Sequence, residues 1–292
     1  MYKWTTDQIE PTQRFDHWRE VRARGLFGVT AELEPERRPQ FSGEFSLRKI
    51  GTASLIELHA SSYQVERSAA DIAHTSGASL CIYQQLGGGG RFGVNGSGEF
   101  TVRQGNFATS HSDLPYRTTP LTDDGFHLRI LKVPTAGLLA PNADLHDLFP
   151  KPFYSQPSLA PLLESCFADL TEADEGGDPA MSAPLVEALA QIALIERGLV
   201  RPASRAALGA IRIGHLSLAR RLITRHPIQR GAVAGIRSGV ARDLGSSPLR
   251  IVRSDRHELR ANRNRSAHRG KPPPAERGAG AVDFPDRLCQ RL

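Results

Sequence analysis

Between residues 41 and 133 the apolar side chains come in short runs, and that texture limits the possible folds more than any other feature of the chain. The runs cover residues 46–50, 54–59, 80–86, 100–103, 106–110 and 127–133, and clusters of Gly, Asn, Asp and Ser separate them. Short strands at regular spacing with turn residues between them predict an antiparallel sandwich or barrel. Four consecutive glycines, residues 87–90, fall between two of the runs. No Lys-Ser/Thr or helix start follows them, so they do not read as a phosphate-binding loop. They read as a flexible hairpin turn.

On either side of this block the period becomes helical. Phe15, Trp18 and Val21 predict a short amphipathic helix over residues 13–24. Beyond Pro134, Ser158 is a candidate N-cap for a stripe of Leu159, Leu162, Leu163, Cys166, Phe167 and Leu170. Ser182 and Pro184 open a second helix with Leu185, Val186, Leu189, Ile192, Ala193 and Leu199. Residues 201–207 read as a linker, and a third helix over 208–226 places Ile211, Leu218 and Leu222 on one face. Strands framed by helices give class α+β. The two stripes must be buried on the strand domain, on each other, or on a second subunit.

Charge is distributed unevenly. Residues 250–292 hold eleven Lys/Arg against five Asp/Glu, the whole of the +6 net charge, while residues 1–249 carry twenty-six of each sign. A basic tail of this kind is a solvated, disordered segment or a nucleic-acid contact. Cys81, Cys166 and Cys289 are too few and too far apart for a disulfide framework, which suits a reducing cytoplasm. No run of 18 apolar residues predicts a membrane span, and residues 1–10 lack the apolar core of a secretory signal. The expected location is the cytoplasm.

Several segments, in order, carry a resemblance. They are Phe15-Asp-His-Trp18-Arg-Glu, Tyr63-Gln-Val65-Glu-Arg67, Ile82-Tyr-Gln-Gln-Leu86, Arg103-Gln-Gly105-Asn-Phe107, Leu114-Pro-Tyr116 and Leu131-Lys-Val-Pro134. The series resembles the cupin-like N-terminal domain of AraC-type transcriptional regulators over roughly residues 10–200. The resemblance implies a small antiparallel β-barrel that binds an effector, helices that pair two subunits, and a C-terminal pair of helix-turn-helix units that activates genes through DNA. Residues 205–226 resemble the lead helix of that module. Val240-Ala-Arg-Asp-Leu-Gly-Ser246-Ser247 resembles the second helix and tight turn of its first unit. Gly245 suits a helix end and Ser246 or Ser247 the next cap. The resemblance assigns DNA contacts to Arg242, Ser246, Ser247 and Arg250. The implied organisation is an effector-binding and dimerisation domain over 1–200, the start of a DNA-binding domain over 201–249, and a tail over 250–292.

The tail departs from the family. Between Arg253 and Gly280 the only large aliphatic or aromatic residue is Leu259, and Pro272, Pro273 and Pro274 interrupt any helix. A second helix-turn-helix needs an apolar stripe on each helix and finds none here. Residues 255–259 can be encoded GAC AGG CAT GAG CTT, which one base later reads Thr-Gly-Met-Ser. Extended over the tail with permitted codons, that frame yields a string resembling the missing family segment. Each shifted codon has its first and third bases largely fixed, so a periodic match over such a length points to a frameshift from about Pro248.

Catalytic chemistry is not indicated. His111, Asp113 and His127 could in principle ligate a metal, since alternation puts His111 and Asp113 on one strand face. No His-x-His pair accompanies them, and a turn-capping Asp113 with a surface histidine is the favoured reading, so neither metal nor cofactor is expected. A stand-alone cupin-type sensor or a metal-dependent enzyme is the alternative. Cys81 and Cys166 read as core fillers. Arg67 and Arg103 are candidates for an anionic effector, although ordinary exposed strand residues fit them better.

Overall fold

The structure is a computed structural model that describes residues 1–94, 98–139, 143–153, 158–172 and 179–225. Arg242, Ser246, Ser247, Arg250, Cys289 and the tail over 250–292 lie outside the described residues. Eleven strands and five helices are described. Strand β1 (Tyr2–Thr5) precedes helix α1 (Arg14–Gly25), and β2 (Thr30–Glu32), β3 (Gly43–Ile50), β4 (Ala53–Ala60) and β5 (Gln64–Arg67) follow. A short helix α2 (Ala69–His74) leads to β6 (Ser79–Val94), β7 (Gly98–Arg103), β8 (Phe107–His111), β9 (Tyr116–Pro120), β10 (Phe126–Pro134) and β11 (Lys151–Pro152). Helices α3 (Ala160–Glu172), α4 (Pro179–Glu196) and α5 (Arg205–Arg225) complete the described chain.

The strands form a curled antiparallel half-barrel in the order β1-β3-β4-β10-β6-β9-β5-β2, with β8 and β7 also paired to β6. The expected α+β class with a cupin-like strand domain is present. Period-two alternation splits the apolar side chains of the central strands between two cores. Ile56 and Leu58 of β4, Cys81 and Tyr83 of β6, and Leu128 and Ile130 of β10 face the interior with α1. Their neighbours Leu55, Leu80, Ile82, Leu131 and Val133 face outward and are covered by α3 and α4. Of the three possible burial places for the helical stripes, the strand domain and the other helices are occupied here.

The four glycines do not make a hairpin. They lie inside β6, sixteen residues long, at the point where it leaves β10 and β8 and takes up β7 and β9. The register slips between His127 and Leu128 opposite this point, and Gly88 has φ +64°. A Cβ on Gly89 would lie 2.6 Å from the Leu121 side chain and 3.1 Å from the Val102 carbonyl oxygen. A strand that turns a barrel corner brings other backbone close, and glycine leaves the space. Local turn chemistry looks the same in both situations.

Leu159 and the anticipated α3 residues Leu162, Leu163, Cys166, Phe167 and Leu170 are all buried. Helix α4 begins at Pro179, ahead of the expected start, and takes Pro184 into its body. Of the three residues expected to face inward on α5, Ile211 and Leu218 pack partly buried against the helical core, while Leu222 is half exposed. The tightest part of the seam against α3 and α4 is made by Ala207, Ala210, Gly214 and Ser217. Small residues at three- and four-residue spacing let helices approach closely, and ranking positions by hydrophobicity overlooks them. Arg221 fastens the end of α5 to Asp169 at 3.2 Å and Glu172 at 2.5 Å. Helix α5 therefore packs on α3 and α4 across the boundary expected near residue 200. A Cβ at Gly214 would come within 2.9 Å of Leu162 Cβ and 3.4 Å of Ile192 Cδ1. Gly214→Val is expected to cost about 1–3 kcal/mol through overpacking. Limited proteolysis should then cut first within α5; an unchanged cleavage pattern would contradict this docking.

Candidate functional site

Helix α1 builds the interior site. Phe15, Trp18 and Arg22 stand at i, i+3 and i+7 and so share the face turned into the half-barrel. Trp18 packs against Phe41, Phe45 and Tyr63, at ring separations of 5.8, 6.3 and 6.2 Å. One turn further on, Arg22 enters a cavity walled by Tyr63, Tyr83, Phe92, Tyr116, Thr118 and Phe126. The space is about 20 Å³, room for a single water-sized molecule. Arg22 is 5% exposed, and its Nε and Nη1 have no hydrogen-bond partner; nor do Thr118 Oγ1 and Trp18 Nε1.

The electrostatics follow from this setting. Burial works against the Arg22 charge, but its electrostatic interaction with Tyr63, Tyr116 and Tyr83, together with a side-chain hydrogen bond to Tyr116, raises its pKa. Burial raises the Tyr116 phenol, tempered by Arg22, and raises Tyr83 well above the ordinary value. The Tyr83 hydroxyl accepts a bond from Ser110 Oγ at 3.2 Å. Burial pushes the Cys81 thiol up to about 12 and Cys166 up to about 11, so both stay protonated and act as packing side chains at neutral pH.

The residues singled out in the sequence are dispersed. Arg67 is wholly buried rather than an exposed strand residue. It donates to the carbonyls of Ser112 at 3.0 Å, Thr75 at 2.6 Å and Gly28, lies 3.7 Å from Asp113, and sits over the Phe27 ring. Those bonds engage its guanidinium in holding three loops together. Arg103 is exposed at the end of β7. Asp113 accepts from Gly77 N, Ala78 N and Ser76 Oγ and so closes the turn before β6. His127 lies on the outer face of β10, its ring tilted against His59 at 4.9 Å and 3.3 Å from Glu57. The His111–Asp113–His127 set is thus not assembled, and among the described residues no three His, Cys, Asp or Glu could hold a metal ion. The three-residue spacing of Phe15, Trp18 and Val21 passes over Arg22. An arginine four residues after Trp18, on the apolar face of the helix, was the available signal.

His111 is buried rather than on the surface. Its Nδ1 accepts from the Asp113 backbone N–H at 3.1 Å, and Nε2 has no partner. Burial lowers its pKa from about 6.5 despite the Asp113 charge, so the fold holds a neutral imidazole. The unfolded chain then binds the extra proton first as pH falls. The contribution of His111 is full above about pH 6.5 and is lost as pH drops through the folded-state value. Urea midpoints should decline from pH 7.5 to 5.5, and His111→Gln should make that decline shallower; an identical slope in the variant would rule this out.

Comparison with known proteins gives the context of this architecture. Residues 18–195 match the AraC-binding-like domain family. The crystal structure of the AraC-like transcriptional activator CuxR aligns with a TM-score of 0.56 at 18% identity, covering 84% of this chain and 81% of that one. An HTH_3 family transcriptional regulator from Vibrio cholerae aligns over 31% of this chain and 50% of its own at 14% identity, with a TM-score of 0.26. Oxalate decarboxylase from Bacillus subtilis covers 50% of this chain and 35% of its own at 11% identity, with a TM-score of 0.24. The last two scores carry no argument about fold or function. No curated protein matches the chain. The helix-covered half-barrel and the match over residues 18–195 agree: the chain belongs to the AraC-binding-like family, the cupin-like N-terminal domain of AraC-type transcriptional regulators.

Proposed function

We propose that this chain is an effector-responsive, AraC-type regulator rather than an enzyme, working as a cytoplasmic homodimer, with an impaired DNA-binding region. The match of residues 18–195 to the AraC-binding-like domain carries the reading. Two features support effector response. The interior of the half-barrel holds buried polar groups without partners, as a ligand site does. The strands that line it also reach the helices: Tyr83 and Ile130 face the cavity, while their neighbours Ile82 and Leu131 pack in the core of α3 and α4. A ligand that shifts the inner rings acts one residue away from the helical layer, and α5 is docked on that layer. Among the described residues no helix is long and apolar enough to cross a membrane.

Arg242, Ser246, Ser247 and Arg250 are the proposed DNA contacts, and the tail after about Pro248 is proposed to be read in a shifted frame. Its eleven basic residues favour non-specific attraction to DNA that weakens steeply with salt. Gel shifts with the DNA upstream of its own coding region should show only salt-sensitive, competitor-sensitive complexes. Restoring the neighbouring frame from the codons for Pro248–Ile251 should recover a specific one. A specific, salt-resistant complex with the chain as it stands would refute the impairment. Stop codons in the neighbouring frame would refute the frameshift.

A further inference from the structure

We infer that the cavity at Arg22 receives the carboxylate of a small amphipathic organic acid. The inference rests on the effector-sensing reading and names the chemistry of that effector. Two buried arginines in the same half-barrel set the contrast. Arg67 satisfies its guanidinium on three backbone carbonyls near Asp113. Arg22 is also buried, yet its Nε and Nη1 bond to nothing, and no carboxylate lines its cavity among the described residues. A buried cation without a counter-charge is costly, and an anion that accepts from its free donors relieves that cost with charge-assisted bonds. Thr118 Oγ1, on the same face of β9 as Tyr116, offers a second unpartnered polar atom in the wall.

The remaining wall sets the body of the ligand. It is built from Phe92, Phe126, Leu58, Leu128 and the rings of the tyrosines, which favour an apolar or aromatic group over a sugar-like, many-hydroxyl one. The cavity holds one water-sized molecule, so the acid must displace a ring to fit. Tyr63 is placed for that. It lines both this cavity and an outer cleft of about 680 Å³ whose rim mixes Arg19, Arg37 and Arg38 with Glu32 and Glu34. The cleft gives a route inward, and the charge that would hold the acid is the buried Arg22 behind Tyr63.

The test is thermal shift and calorimetric titration of the full chain with sodium benzoate and sodium butyrate. Benzamide serves as the neutral isostere, and sodium chloride is matched in ionic strength. At least one acid should raise the melting temperature while benzamide and chloride do not. Arg22→Met should weaken that acid at least tenfold yet melt no lower than the wild type without ligand. Thr118→Val, which keeps the shape and removes the hydroxyl, should weaken it about three- to tenfold, and it decides the matter if Arg22→Met does not fold. The inference is overturned if neither acid shifts the wild type, if benzamide or chloride acts as strongly, or if both variants bind as the wild type does. None of these outcomes touches the regulator reading, which depends on the gel shifts.

Discussion

Replacing Arg67 with methionine is expected to destabilise the protein by about 3–5 kcal/mol, because three carbonyls lose the donor that joins them and Asp113 loses its nearby cation. The carbonyls belong to Ser112, Gly28 and Thr75, so one side chain joins the loop after α1, the end of α2 and the end of β8. Arg22→Met should have the opposite or no effect on the ligand-free protein, since an unpaired buried charge is replaced by an apolar group of similar length. Urea denaturation of both variants separates the two roles. Equal losses would overturn the contrast between the structural and the binding arginine, and a smaller loss at Arg67 would reverse it.

Gly125→Ala is the second change with a large expected effect, again about 3–5 kcal/mol. Gly125 has φ +85°, and a Cβ there would lie 2.0 Å from the Ala60 carbonyl oxygen and 2.5 Å from Ser61 C. Backbone, not a flexible side chain, occupies the space, so the turn before β10 must move. Phe126 and Tyr63, both in the cavity wall, flank the two colliding segments. The variant should therefore lose compactness at the ligand site as well as stability, seen as an earlier melt and faster exchange of the Phe126–Ile130 amides. A melt within a degree of the wild type would show that the turn yields easily.

Much of the fold was legible in the sequence. The strand cores over 54–59 and 127–133 and the α3 stripe were readable because alternation and 3.6-residue periodicity are local consequences of burial on one face. The strands β1, β2 and β11 were not anticipated: they are two to four residues long, too short to set up a period. Ser68 and Asp71 form a capping box at α2, a local signal that was present and went unread. All three cavity tyrosines lay inside segments that carried the family resemblance, yet nothing in their spacing showed that they meet.

By itself the sequence determined the class, the family and the succession of a strand block and two apolar helices, since each depends on patterns between near neighbours. Only the tertiary structure decided which arginine has its guanidinium engaged by backbone and which keeps free donors at Nε and Nη1. Arg22 comes from α1, Tyr63 from the loop before β5, Tyr83 from β6, and Tyr116 and Thr118 from β9. Whether a buried cation is satisfied depends on acceptors brought to it from distant parts of the chain, and only the folded arrangement supplies or withholds them.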